Sequence, residues 1–196
     1  MNWTHYDEPL MTGDEILEIL RTTGAIVEGH FELPDGLHTA AVLRTVKATQ
    51  FAPFNRKLCF EIVRHFLELD IHVVIAAGAD AVPVAVEVGR QLEARAIFVV
   101  SCSDMPALHP GFELHEGERA IVVQGVLRHD TEIDGVEALV RKANARLIGI
   151  GSIIDARQSR RRYTVKDVAA IQLSPPVHPV DACPLCAAGT ELMLPN

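Results

Sequence analysis

Positive charge is scarce in this chain. Lys and Arg number 18 against 26 Asp and Glu, a formal net charge of −8 over 196 residues. A surface of that sign repels nucleic acid and anionic membranes wherever no basic patch intervenes. The one dense basic patch is Arg157 with Arg160-Arg161-Arg162. It reads as a solvated loop or, if functional, as an anion clamp. Long apolar runs are missing too, since none approaches the ~18 residues needed to span a bilayer. Residues 1–9 are polar and acidic, without the apolar stretch of a secretory signal. The four cysteines, Cys59, Cys102, Cys183 and Cys186, form no evident disulfide framework. These absences predict a cytoplasmic chain with neither a nucleic-acid partner nor a membrane span.

Hydrophobic residues make up 48% of the chain and charged residues 22%, enough apolar material for one sizeable core. Thr12-Gly13-Asp14-Glu15 is a capping box ahead of a helix ending near Gly24. Residues 24–43 alternate apolar stretches with a Pro34-Asp35-Gly36 turn, the pattern of two strands. Asn55 is placed to cap a second helix, in which Leu58, Ile62, Phe66 and Leu69 form one buried stripe. The run Val73-Val74-Ile75-Ala76-Ala77 suits a strand covered on both faces. Asp80 is placed to cap the helix that follows, with Pro83 in its first turn.

Further strands are expected at residues 96–100, 120–123 and 147–154. Loops are expected at 101–117 and 128–132, and a helix at 133–144. The alternation of strand and helix predicts a mostly parallel sheet with helices on both faces. The expected layout is one domain: an N-terminal hood at 1–50, a core at 51–155, and a C-terminal strand with an extended Pro-rich tail at 156–196. Ligands of such sheets bind beyond the carboxyl ends of the strands. That points to the loops at 78–82, 101–111 and 124–132.

Three stretches together resemble the orotate phosphoribosyltransferase family. They are Gly24-Ala25-Ile26-Val27-Glu28-Gly29-His30-Phe31-Glu32-Leu33, Ala120-Ile121-Val122-Val123-Gln124-Gly125-Val126-Leu127, and Cys183-Pro184-Leu185-Cys186-Ala187-Ala188-Gly189-Thr190. The resemblance runs over roughly residues 13–195 and implies a type I phosphoribosyltransferase fold. It also implies phosphoribosyl diphosphate held with Mg²⁺, orotate or another base as acceptor, and a homodimer. No cofactor is implied apart from that Mg²⁺.

The site motifs depart from the family pattern. Two adjacent carboxylates that take the ribose hydroxyls are replaced by Gln124-Gly125. A Thr-Thr-Gly-rich turn that wraps N–H groups around a phosphate reads Arg128-His129-Asp130-Thr131-Glu132. Asp130 and Glu132 would set negative charge beside that phosphate. A lysine-rich mobile loop reads Ser101-Cys102-Ser103-Asp104-Met105-Pro106-Ala107-Leu108-His109-Pro110-Gly111. His109 is its sole candidate for positive charge and the one catalytic candidate. The turn Gly78-Ala79-Asp80 keeps small residues on the diphosphate side.

The candidate ligand-binding set is therefore Gly78, Ala79, Asp80, Gln124, Gly125, Arg128, His129, Asp130 and Thr131. Two functions stand against each other: a binding or regulatory protein for a nucleotide- or base-like molecule, and an active transferase. A third is a structural subunit for a complete homologue. Cys183-x-x-Cys186 with His178 would supply three zinc ligands. The plainer reading is a tight turn whose thiols pack on the body, with no metal. His30 and His38 read as structural or surface histidines.

Overall fold

The computed structural model describes residues 9–33, 35–102, 105–159 and 161–193. The chain opens with α1 (Gly13–Thr22), whose capping box is complete. The Thr12 side chain accepts from the Glu15 amide, and the Glu15 side chain accepts from the Thr12 amide. Its buried side is carried by Ile16 and Leu20, one turn apart. Strands β1 (Ile26–Glu32) and β2 (His38–Leu43) then pair antiparallel, with a register shift between Glu28 and Phe31. A short α2 (Val46–Thr49) leads into α3 (Ala52–Val63).

Asn55 does not cap α3. Phe51 is the N-cap, and Asn55 lies inside the helix, where its Nδ2 donates to Pro83 O at 2.9 Å and its Oδ1 accepts from Cys59 Sγ. An Asx side chain serves either role, and here a neighbouring helix offered a buried carbonyl. The expected stripe holds in part: Leu58 and Ile62 are fully buried on α3, but the helix ends at Val63, so Phe66, also fully buried, and Leu69, partly buried, lie in the turn beyond it.

The main sheet follows. Strand β3 (Val73–Ala76) leads through a 3-10 turn to α4 (Val82–Leu92), which Pro83 opens but Ala81 rather than Asp80 caps. Then come β4 (Arg95–Cys102), β5 (Met105–Leu108), β6 (Arg119–Leu127), α5 (Asp130–Lys142), β7 (Arg146–Asp155) and β8 (Lys166–Gln172). Spatial order is β5-β4-β3-β6-β7-β8, with every pair parallel except β4 with β5. The expected loop after β4 thus turns back as an edge strand. Pro106 is tolerated there because an edge strand has one unpaired side. Ser103 and Asp104 lie outside the described residues. The carboxyl-terminal segment is likewise more than an extended arm. Strand β9 (Val177–His178) adds to β2, and α6 (Pro184–Ala187) follows a short 3-10 turn.

The core has two halves, one on each face of the sheet. Leu58, Ile62, Val84 and Val88 pack with Val74, Ala76, Ile121 and Val123. On the other face, Ile133, Val136 and Val140 pack with Val73, Ile75, Val122 and Ile150. This alternation explains the unbroken apolar runs in β3 and β6, since both faces are covered.

Helix α3 and the turn after it press closely on β7. A Cβ at Gly149 would overlap the Phe66 ring, and one at Gly151 would overlap Ile62 Cγ2. Neither ring nor branched side chain can retreat from a close-packed interior. We expect Gly149→Ala to cost about 1–3 kcal/mol in urea unfolding. An unchanged denaturation midpoint would show that the interface is looser than this geometry.

Candidate functional site

Taken alone, the parallel strands β4-β3-β6-β7-β8 follow the 2-1-3-4-5 order of doubly wound sheets. Chain direction of travel reverses between β3 and β6, and such a switch point opens a crevice at the strand carboxyl ends. A cleft of about 310 Å³ lies there, walled by Arg44, Thr45, the Ala77–Asp80 turn, Gln124, Gly125, Arg128 and Glu132. Six residues singled out from sequence therefore meet in one place: Gly78, Ala79, Asp80, Gln124, Gly125 and Arg128.

Gln124 is a buried residue of β6. Its Nε2 donates to Ala77 O at 3.1 Å and to Glu132 Oε2 at 2.6 Å. Both amide hydrogens are thereby engaged, which leaves its oxygen as the acceptor for a ligand hydroxyl. Gly125 is required by close approach, because a Cβ there would overlap Thr45 Oγ1. The place where the family carries its second carboxylate is thus filled from α2's side by a buried threonine.

Glu132 stands in the first turn of α5, where a helix N-terminus favours negative charge. Although the residue is open to solvent on the cleft side, enclosure of its carboxyl raises its pKa above the ordinary carboxylate value. His129, Arg128 and the Gln124 bond only partly oppose that rise.

Two further spaces adjoin this cleft. A slot of about 120 Å³ lies between the small sheet and the main body, lined by Leu33, Leu37, Thr39, Ala41, Arg128, His129 and Val177 among others. Arg128 borders both slot and cleft, and its Nη2 donates to Leu43 O at 2.8 Å. A third space of about 410 Å³ is lined by Ala77, Gly78, Ala79, Phe98, Val99, Val100, Pro106, Thr131 and Glu132. No Lys or Arg is among these described residues. His109 lies outside all three, against the rings of Phe98 and Phe112 at 4.8 and 5.8 Å between centroids.

Asp130 does not face the cleft. The helix begins at Asp130, three residues earlier than its periodicity suggested, and this turns the carboxylate towards Arg157. The Arg157 guanidinium is buried, with its side chain 1% exposed. It donates to Asp155 twice, at 2.9 and 2.6 Å, to Asp130 at 2.8 Å and to Asp167 at 2.7 Å. Asp130 also accepts from Tyr163 Oη at 2.7 Å. The basic patch is therefore not a solvated loop at Arg157, nor an anion clamp, because three carboxylates already saturate this guanidinium. Arg160 lies outside the described residues. Burial pushes the Asp130 carboxyl up, but its bonds from Arg157, Tyr163 and the Arg161 amide outweigh that and hold it below the ordinary value.

A magnesium ion held by the protein does not fit these residues. It asks for one or two carboxylates beside substrate phosphates. Gln124-Gly125 offers none, Glu132 is committed to Gln124, and Asp80 alone of the cleft-lining residues adds a carboxylate, on the far wall, in place of the family's adjacent pair. Cys183 and Cys186 lie away from the cleft, against the β1-β2 hairpin. His30 and His38 face them there, and His178 is not in that converging set.

Arg157→Met should lower unfolding stability by about 3–5 kcal/mol, because it strands buried carboxylates. A group depressed in the folded state stabilises above its unfolded pKa and loses that contribution as pH falls through the folded value. Stability should therefore fall on acidification below the ordinary carboxylate range, and Asp130→Asn should flatten that acid limb. Equal acid limbs for the two proteins would refute the Asp130 assignment.

No family model matches the chain. Curated relatives do. The orotate phosphoribosyltransferase of Thermoanaerobacter sp. (strain X514) is 31% identical over 186 residues, 95% of this chain and 98% of its own. That of Chlorobium phaeobacteroides (strain BS1) is 30% identical over 186 residues, 95% of this chain and 96% of its own. Among solved structures, orotate phosphoribosyltransferase from Aeropyrum pernix superposes with a TM-score of 0.65 at 15% identity, over 81% of this chain and 93% of that one. Adenine phosphoribosyl transferase from Trypanosoma brucei gives 0.61 at 11% identity, over 83% and 82%. The fold is that of type I phosphoribosyltransferases, and the chain belongs to the orotate phosphoribosyltransferase family.

Proposed function

We propose that this chain is a binding protein built on the transferase scaffold, with phosphoribosyl transfer weak or lost. The observation that carries this reading is the Glu132 carboxylate at the head of α5, bonded to Gln124 at 2.6 Å. A phosphate seated on the first turn of α5 would meet that charge, a like-charge contact in a partly dry cleft. The helix N-terminus attracts anions, but an acid of the chain's own already takes that favourable position. Further support comes from the cleft wall around Phe98 and Thr131, where no Lys or Arg is found among the described lining residues. Loss of a preorganised cation where charge develops costs ~10²–10³ in rate per group.

The ligand class follows from the slot. Apolar walls from Leu33, Leu37, Ala41 and Val177 suit a flat base, and Arg128 at its border suits an acyl or anionic edge on that base. Gln124's acceptor oxygen and the neighbouring Thr45 suit the hydroxyls of an attached sugar. The expected ligand is a nucleobase or nucleoside carrying little phosphate charge. We also propose a cytoplasmic homodimer, in which exposed Phe51 and Val86 supply apolar surface for a second copy. No helix among the described residues is long and apolar enough to cross a membrane.

The assay mixes purified protein with phosphoribosyl diphosphate, Mg²⁺ and orotate, and follows orotate absorbance. Little or no consumption is expected; turnover at ~1–10³ s⁻¹ would falsify the binding-protein reading. Calorimetry of ribose 5-phosphate against pH gives a second check. Affinity should rise as pH falls through the raised Glu132 value, and Glu132→Gln should bind more tightly with that pH dependence gone. A pH profile identical in the two proteins would remove Glu132 from the account.

A further inference from the structure

Four side chains that the cleft does not use converge at the other end of the small sheet. His30 on β1 and His38 on β2 are 2% and 5% exposed, and Cys183, just before α6, is 3% exposed. Cys186 lies in α6 itself. One ligating atom from each lies within 4.8 Å of all the others. His30 Nε2 is 2.8 Å from His38 Nδ1 and 3.6 Å from both sulfurs, and Cys186 Sγ is 3.2 Å from His38 Nδ1. We propose that this is a structural zinc site of two cysteines and two histidines, which clamps the C-terminal segment onto the β1-β2 hairpin.

Hydrogen bonding alone does not explain the cluster. His30 Nδ1 lies 2.8 Å from the carbonyl oxygen of Thr190. A carbonyl only accepts, so Nδ1 carries the proton and Nε2 presents one bare lone pair. His38 Nδ1, Cys183 Sγ and Cys186 Sγ all crowd that single acceptor. A cation at the centre instead takes one lone pair from each of the four groups, and two thiolates neutralise its charge.

Tetrahedral zinc with Zn–N of about 2.0–2.1 Å and Zn–S of about 2.3 Å sets ligand atoms roughly 3.3–3.8 Å apart. Both His30–sulfur separations of 3.6 Å match zinc spacing and the Cys186–His38 separation of 3.2 Å nearly does, while the two ring nitrogens, at 2.8 Å, would part by about half an ångström on ligation. The bond from His30 to Thr190 O is the outer contact that fixes tautomer and ring direction in metal-bound histidines. Cys-x-x-Cys on a tight turn is the usual knuckle of such sites. Four protein ligands and three buried donors leave no open position, which makes the site structural rather than catalytic.

The clamp has a mechanical consequence. His38 adjoins Thr39, which pairs with Val177, and both line the base slot. The Met193 amide donates to His30 O at 2.7 Å. Ligation would thus hold together the two chain ends that wall the slot, across a sequence separation of 153 residues between His30 and Cys183. Zinc binding and ordering of this segment become one equilibrium. The inference is independent of whether transfer occurs.

Elemental analysis of tag-free protein, purified under reductant, should find about one zinc per chain. Cobalt(II) exchanged into the site should show the intense visible bands of tetrahedral coordination and thiolate charge transfer. Cys186→Ser and His38→Asn should each lose the metal or weaken it at least 100-fold, while His178→Asn should keep it. Chelation should lower the melting temperature of the parent and leave the already depressed value of Cys186→Ser unchanged. Three results would overturn the proposal: no uptake by the reduced parent at about 1 µM free zinc, a Cys183–Cys186 disulfide as the native state, or full zinc retention in the Cys186→Ser, His38→Asn double variant.

Discussion

At the carboxyl end of β6 a single side-chain amide joins three parts of the molecule. Gln124 belongs to the strand, reaches Ala77 at the end of β3, and holds Glu132 on α5. The switch point of a doubly wound sheet would otherwise stand open between those elements. The amide closes it from below and keeps a carboxylate at the head of the helix. The geometry of the cleft follows from this arrangement. So does its electrostatics: the favourable end of the α5 dipole is met by an acid of the chain's own. Thr45 completes the change, since it fills the volume above Gly125 that a second acidic side chain would need.

Elsewhere the fold is stiffened by polar groups at its carboxyl half. Arg157 gathers Asp130, Asp155 and Asp167 from α5, β7 and β8. Such a cluster costs heavily to desolvate, and its worth lies in geometry as much as in energy. It sets the start of α5, and hence where Thr131 and Glu132 stand. The small sheet is fixed from both ends of the chain, with β9 added to β2 and the Cys183–Cys186 turn folded against His30 and His38. The base slot lies between these two rigid regions, and Arg128 links it to the cleft.

Much of the scaffold was legible from residues alone. The capping box of α1, the first half of the α3 stripe and the all-apolar β3 run each follow from local rules, and each is present. The family was legible by the resemblance of three stretches rather than by local rules, and the strand-end segments at 78–82 and 124–132 do line the cleft, whereas the one at 101–111 carries β5. What escaped was decided by partners distant in sequence. Asn55 looks like a helix cap, but a cap and a buried amide share one residue type; Asp80 lies within the 3-10 turn, one residue before the true cap, Ala81. Strand β5 hides behind Pro106 and a polar context, because an edge strand needs no apolar alternation. Arg157 sits in a basic run that reads as surface, and only the fold shows three acids around it. The histidine partners of the cysteine pair lie more than 140 residues upstream. His178, nearer in sequence, was the natural choice on spacing and is not in the converging set.

The central claim is that the chain's own acid occupies the anion position at the switch point. A crystal structure grown with phosphoribosyl diphosphate and magnesium tests it most directly. The account predicts that the bond between Gln124 and Glu132 persists and that no phosphate lies on the first turn of α5. A 5′-phosphate seated on the Thr131 and Glu132 amides, with the Glu132 side chain swung out of the cleft, would contradict it.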